Sequence, residues 1–192
     1  MKKIFTLLAA LCFIPATPFD LHVYNLTNYD LYYMLGTRPI RSGDTHPFLT
    51  SRGNYSDFNS GDLYFVKLGS FEDTEYSNSG YPYHSTTTVT PASAQVTHWV
   101  RTLTPTSPAI NTPNHLAQSM FGSTQRFSDF KFYMKDAADN VVSSGNLDKN
   151  DTDWNNPNGE VHSLGNNMTA TYLPLLDNSG EVTDIFVLFD EI

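Results

Sequence analysis

The sequence predicts an all-β chain: a single-domain antiparallel β-sandwich, of jelly-roll or Ig-like type, carrying one short helix. Three observations predict it. Aromatic and β-branched residues dominate the apolar content, and such side chains suit the pleated, half-buried surface of a sheet. Eleven glycines and eleven prolines punctuate the chain at short intervals, as turns between strands require. Sustained helix-period patterning is scarce.

The first segment stands outside that fold. Met1, Lys2 and Lys3 give a positive start, the stretch from Ile4 to Ile14 is almost wholly apolar, and Ile14-Pro15-Ala16 offers a small residue for cleavage. The run is shorter than the roughly 20 apolar residues of a membrane-spanning helix, so residues 1–16 read as an export signal and residues 17–192 as the domain. The lone cysteine, Cys12, lies inside that signal. An exported chain without cysteine has no thiol nucleophile, no disulfide framework and no cysteine-bound metal. Leu11 stands before Cys12 where lipoprotein signals take a small residue, which argues against lipid attachment. A bacterial protein of the periplasm, the cell surface or the medium is the expectation.

Charge narrows the partners. The whole chain has 11 basic and 20 acidic side chains, and loss of Lys2 and Lys3 with the signal moves its net charge of −9 to about −11. A surface this acidic cannot neutralise a run of phosphates, so nucleic acid is not an expected partner. No integral membrane segment is expected after cleavage.

The elements follow in order. Phe19, Leu21 and Val23 alternate with Asp20, His22 and Tyr24, the period-2 pattern of a half-buried strand. A turn at Asn28 to Asp30 leads to Leu31–Leu35, expected to return as the partner of that first strand. Leu63–Leu68 is a further strand, opened by Ser60-Gly61-Asp62. Glu72 to Tyr83 is polar and tyrosine-rich and reads as a loop. From Ser85 to Pro113 the chain is loaded with Thr, Ser and Pro and reads as a long surface excursion within the domain. Inside it, Val96, Trp99, Val100 and Leu103 fit helical spacing, while the β-branched Val96, Thr97, Val100 and Thr102 fit a strand, and both readings stay open. Asn114 is placed to cap a helix over 115–121, with Leu116 and Met120 on one face and Gly122 beyond its end.

The second half gives the clearest local signals. Phe127–Lys135 is a strand with Phe130, Phe132 and Met134 on one face. It runs into a turn at Asp136–Asn140 and out through Val141-Val142, and Leu175-Leu176 likewise enters Asp177-Asn178-Ser179-Gly180 and leaves through Val182. Asp and Asn start such turns by bonding nearby backbone N–H groups. Ile185–Phe189 is apolar on both faces, which predicts a central strand covered on each side.

Motifs of catalysis are missing from the sequence: no Gly-x-Ser-x-Gly elbow, no His-Glu-x-x-His helix, no phosphate-cradling glycine loop. A triad or carboxylate pair assembled in space leaves no mark on spacing, so a secreted hydrolase stays open as an alternative. His46 and His84 have no second ligand at metal-binding spacing. The densest oxygen-rich stretch runs from Asp148 to Glu160. Asp148, Asn150, Asp151 and Asp153 could supply calcium ligands, although the stretch fails the helix-loop-helix template, with Asp153 at its sixth position and Gly159 at its twelfth. No other cofactor is implied.

Aromatic residues point to binding. Tyr76, Tyr81 and Tyr83 sit among Ser, Gly and Asn, the composition of adaptable binding loops, and Trp154 offers a flat face for stacking on sugars, as Trp99 does if it lies on the surface and not in the core. The expected ligand contacts are Tyr76, Tyr81, Tyr83 and Trp154. The function expected is therefore that of an exported, non-catalytic binding protein. A polysaccharide is the first partner and an extracellular protein, bound in the manner of an adhesin, the second. A small outer-membrane β-barrel is a further alternative, which the non-alternating closing run and the Asp190-Glu191-Ile192 end do not favour.

Overall fold

A computed structural model of the chain describes residues 20–39, 44–56, 64–76, 89–121, 124–148, 158–180 and 182–192. In chain order the first strands are β1 (Asp20–Asn25), β2 (Asp30–Pro39), β3 (Phe48–Arg52), β4 (Tyr55–Ser56), β5 (Tyr64–Leu68) and β6 (Asp73–Tyr76). A 3-10 turn at Ala92–Ala94 precedes β7 (His98–Thr102), β8 (Ile110–Pro113) and the helix α1 (Asn114–Phe121). The chain closes with β9 (Gln125–Lys135), β10 (Val141–Asp148), β11 (Glu160–Gly165), β12 (Met168–Leu176) and β13 (Val182–Glu191). The fold is all-β, as the sequence predicts.

The strands form two open sheets, ordered β11-β12-β13-β1-β6 and β10-β9-β2-β3-β7-β8, with β5 pairing β2 and carrying β4. The pairs are antiparallel except β1 with β13, where the first and last strands run side by side in the same direction. The two inner faces bury one apolar core. Leu21, Val23, Tyr76, Tyr172, Ile185, Val187 and Phe189 enter it from the five-stranded sheet, and Tyr33, Leu35, Trp99, Phe130, Phe132 and Met134 from the eight-stranded one. Phe189 lies 4.7 Å from Phe132 and 5.8 Å from Phe130, centroid to centroid, and so bridges the sheets directly. The interior is filled by side chains and, among the described residues, neither sheet closes on itself, so the two pack as a sandwich.

Several local readings are realised. Leu21 and Val23 are buried beneath half-buried Asp20, His22 and Tyr24. β9 and β10 form the hairpin expected around Asp136, whose carboxylate accepts bonds from the N–H groups of Ala138 and Asn140. β12 and β13 form the second, where Asp177 accepts from the Ser179 N–H.

Other readings are corrected. Leu31–Leu35 belongs to a strand, but β2 does not pair with β1: the intervening turn carries the chain into the other sheet, where β2 pairs with β9, β3 and β5. Asn25 fixes that crossing. It is fully buried, and its amide donates to the carbonyls of Tyr29 at 2.7 Å and Gly69 at 2.8 Å while its oxygen accepts from the Thr27 hydroxyl. The stretch around Trp99 is strand β7, and with β8 it extends the eight-stranded sheet, so the described part of the Thr/Ser/Pro-rich stretch, 89–113, adds strands to the sandwich. Trp99 is core and offers no face to a sugar. Helix α1 buries Ala117 and Phe121, and Leu116 and Met120 face outward. The Asn114 side chain turns to the Val96 carbonyl instead of capping the helix. β13 is central, as expected, yet only Ile185, Val187 and Phe189 are fully covered, and Phe186 and Leu188 on its other face are half-buried.

Candidate functional site

The outer face of the five-stranded sheet follows from strand alternation. Because Leu21 and Val23 point into the core, Asp20, His22 and Tyr24 point out, and by the same rule so do Asp184, Phe186 and Leu188. The registers set these into rows across the sheet. Glu75, His22, Phe186 and Leu173 make one row, and Asp73, Tyr24, Leu188, Thr171 and Val161 the next. Asp20, Asp184 and Leu175 make a third.

Two kinds of surface result. Towards β12 and β11 the face is apolar, with Leu173, Leu175 and Val161 exposed at 37%, 45% and 67%. Towards β6 it is acidic, with Asp20, Asp73, Glu75 and Asp184 gathered around His22. No lysine or arginine occurs in any of the five strands. Every lysine and arginine among the described residues lies on the eight-stranded sheet, from Arg38 on β2 to Lys135 on β9. There the cations are engaged: Arg38 pairs with Asp129 through two bonds of 2.8 Å, Lys67 with Asp30 and Lys135 with Asp139. The sandwich is therefore electrically lopsided, one sheet mixed and the other acidic.

His22 is the best-defined group on the acidic half. Its ring stacks on Phe186 at 4.6 Å with planes 7° apart, and Tyr24 lies against Phe186 at 6.2 Å and 15°. The stack fixes the imidazole so that Nε2 meets Asp184 Oδ1 at 3.2 Å and Nδ1 faces Glu75 Oε2 at 3.8 Å. Phe186 thus stacks with both His22 and Tyr24, which ties the two rows together.

A second feature lies at one edge of the sandwich. Strands β10 and β11 border an open cleft of about 420 Å³, lined by Phe132, Ser144, Gly145, Asn146, His162 and Leu164 among others. It is pinned at one end by Ser143, whose hydroxyl donates to the Leu164 carbonyl, and by Asn166, whose amide donates to the Val142 carbonyl. At Gly145 a Cβ would meet the Phe132 ring at 2.7 Å, so a side chain there has no room.

The structure separates the residues expected to bind. Tyr76 is fully buried, its hydroxyl 2.6 Å from that of Tyr33 and donating to the Ala94 carbonyl, so it is core and contacts no ligand. Tyr81, Tyr83 and Trp154 lie outside the described residues, as do Asn150, Asp151 and Asp153. Of the expected calcium ligands, Asp148 alone is reached, as the last residue of β10. The acidic group around His22 was missed by sequence reasoning, because Asp184 is 162 residues from His22. The readable part of the signal is Asp20-x-His22, which strand alternation places on one face.

Among the described residues no helix is long and apolar enough to cross a membrane. Comparison with protein-family models, with curated proteins and with solved structures finds no match to this chain.

Proposed function

We propose that this chain is an exported, non-catalytic binding module that engages an extracellular protein through the outer face of its five-stranded sheet. The supporting observation is the composition of that face: exposed Val161, Leu173 and Leu175 beside Asp20, Asp73, Glu75 and Asp184, with no lysine or arginine in its strands. Apolar contact supplies affinity at such a surface, and the carboxylates select a basic partner and speed its approach. The partner class is a protein surface that pairs a hydrophobic centre with lysine or arginine at its rim.

The test is binding of the tag-free exported protein to arrayed extracellular proteins graded by charge, with a glycan array beside them. Retention on basic proteins that weakens as salt rises, and that falls at least tenfold in Leu173→Glu and in Glu75→Lys, is the expected result. Retention unchanged by both substitutions would overturn the use of this face. Retention on glycans alone would move the reading to the polysaccharide partner expected from Tyr81, Tyr83 and Trp154.

A further inference from the structure

We infer that Asp20, His22 and Asp184 form a binding site for a divalent transition-metal ion of the Zn²⁺ class, with Glu75 as the positioning residue for the imidazole. This does not rest on the binding reading above, since metal uptake is measured without any partner.

The geometry begins with the parallel pairing of β1 and β13, which sets Asp20 opposite Asp184 and leaves His22 one pleat further along the same face. One ligand atom from each of the three lies within 4.8 Å of the other two. Zinc bonds of about 2.1 Å place neighbouring ligands about 3.4 Å apart around a tetrahedron. Rotation of two carboxylates on half-buried side chains closes the difference, and the strand backbones need not move.

The place of the imidazole separates this group from an ordinary acidic patch, because it adds a nitrogen ligand held in a fixed direction. Its Nδ1 faces Glu75 and its ring is held on Phe186, so Nε2 meets Asp184, with an Asp20 oxygen in the same 4.8 Å group. With a metal on Nε2 the ring proton would sit on Nδ1, directed at the Glu75 carboxylate.

One nitrogen and two carboxylates suit Zn²⁺ and its neighbours, whereas calcium takes six to eight oxygens and magnesium keeps its waters. Three protein ligands leave a fourth position for water or for a group from outside.

The experiment is calorimetric titration of ZnCl₂ into the metal-stripped, tag-free exported protein, with CaCl₂ as a parallel arm. The wild type is expected to take up one Zn²⁺ with a dissociation constant in the micromolar range or below. His22→Gln and Asp184→Asn should each weaken it at least tenfold, and Glu75→Gln about tenfold. His162→Gln, on β11 beside Glu160, should leave it unchanged. No one-to-one uptake of Zn²⁺, or uptake that survives both His22→Gln and Asp184→Asn, would overturn the site, and uptake of Ca²⁺ alone would overturn it in favour of the acidic stretch from Asp148 to Asp153. If circular dichroism shows both ligand variants unfolded, Co²⁺ bound to the wild type decides. Intense visible bands of a four-coordinate ion support the site, and the pale spectrum of a six-coordinate aqua ion rejects it.

Discussion

Tyr33 and Tyr76 meet hydroxyl to hydroxyl at 2.6 Å in the middle of the sandwich, and both are fully buried. Tyr76 donates to the Ala94 carbonyl, which leaves its oxygen to accept from Tyr33. Burial lifts both phenols above their ordinary value near 10, because a phenolate there would lose its water. The neutral pair is thus favoured in the folded state, and its stabilising effect is complete below about pH 10 and lost as pH rises towards the lifted values. Stability should therefore fall above pH 10, each tyrosine contributing up to about 1.4 kcal/mol per pH unit. Tyr76→Phe should cost about 1–3 kcal/mol at neutral pH, since it leaves the Ala94 carbonyl and the Tyr33 hydroxyl without this partner, and should make the alkaline fall shallower. Urea unfolding between pH 8 and 11 checks both, and parallel curves for the two proteins would contradict the assignment. Tyr76 also shows what the sequence offered at this scale. The polar neighbourhood of Glu72–Tyr83 suggests a binding loop, but Asp73-Thr74-Glu75-Tyr76 alternates acidic with less polar residues, and in β6 the second set turns inward.

Between β11 and β12 the chain reverses through Asn166 and Asn167, both at positive φ, 50° and 58°. Two central residues in the left-handed region are the mark of the type I′ hairpin, whose twist matches that of the strands it joins. Asparagine tolerates this conformation and a β-branched side chain does not. The turn has two further duties: the Asn166 amide holds the Val142 carbonyl of the opposite sheet, and the Asn167 carbonyl accepts from Ile192 N–H at the end of β13. Asn167→Val should lower stability by about 1–2 kcal/mol while Asn167→Gly stays within about 0.5 kcal/mol of wild type, measured by thermal unfolding. A valine that costs nothing would show the turn to be some other type. Element by element, what was legible in the sequence depended on where the decisive contacts lie. The Asp136 and Asp177 hairpins were readable because their turns bond within five residues. The destination of β2 was not, because the bonds that send it across are made by Asn25 to Gly69, far along the chain. β7 fitted both periods, and its pairing with β3 and β8 decides for the strand. The acidic half of the site was invisible for the same reason as β2: its members converge through the pairing of the first strand with the last.

That pairing also governs the whole molecule. β13 holds β12 on one side and β1 on the other, and its inward residues reach across to β9, so the five-stranded sheet and the core share one strand. One continuous cluster of buried residues draws on both sheets, and a smaller one of Met34, Phe65 and Tyr133 lies on the eight-stranded sheet. A core of this kind has no internal seam along which one sheet could melt while the other persists. Phe189→Ala removes a fully buried ring in contact with Phe130 and Phe132, which should cost about 3–5 kcal/mol, a large share of the 5–15 kcal/mol typical of a whole domain. The loss should be felt equally by both sheets. In a Trp154→Phe background the emission of buried Trp99 reports on β7 in the eight-stranded sheet, far from the deleted ring, while far-UV circular dichroism averages over every strand. The two denaturation curves should superpose in the parent and shift together in the variant. A variant whose dichroism falls at lower denaturant than its Trp99 emission would mean that the five-stranded sheet unfolds by itself. The acidic face would then be borne by a sheet only loosely tied to the core, instead of by one held in register by the same Phe189 that joins the two layers.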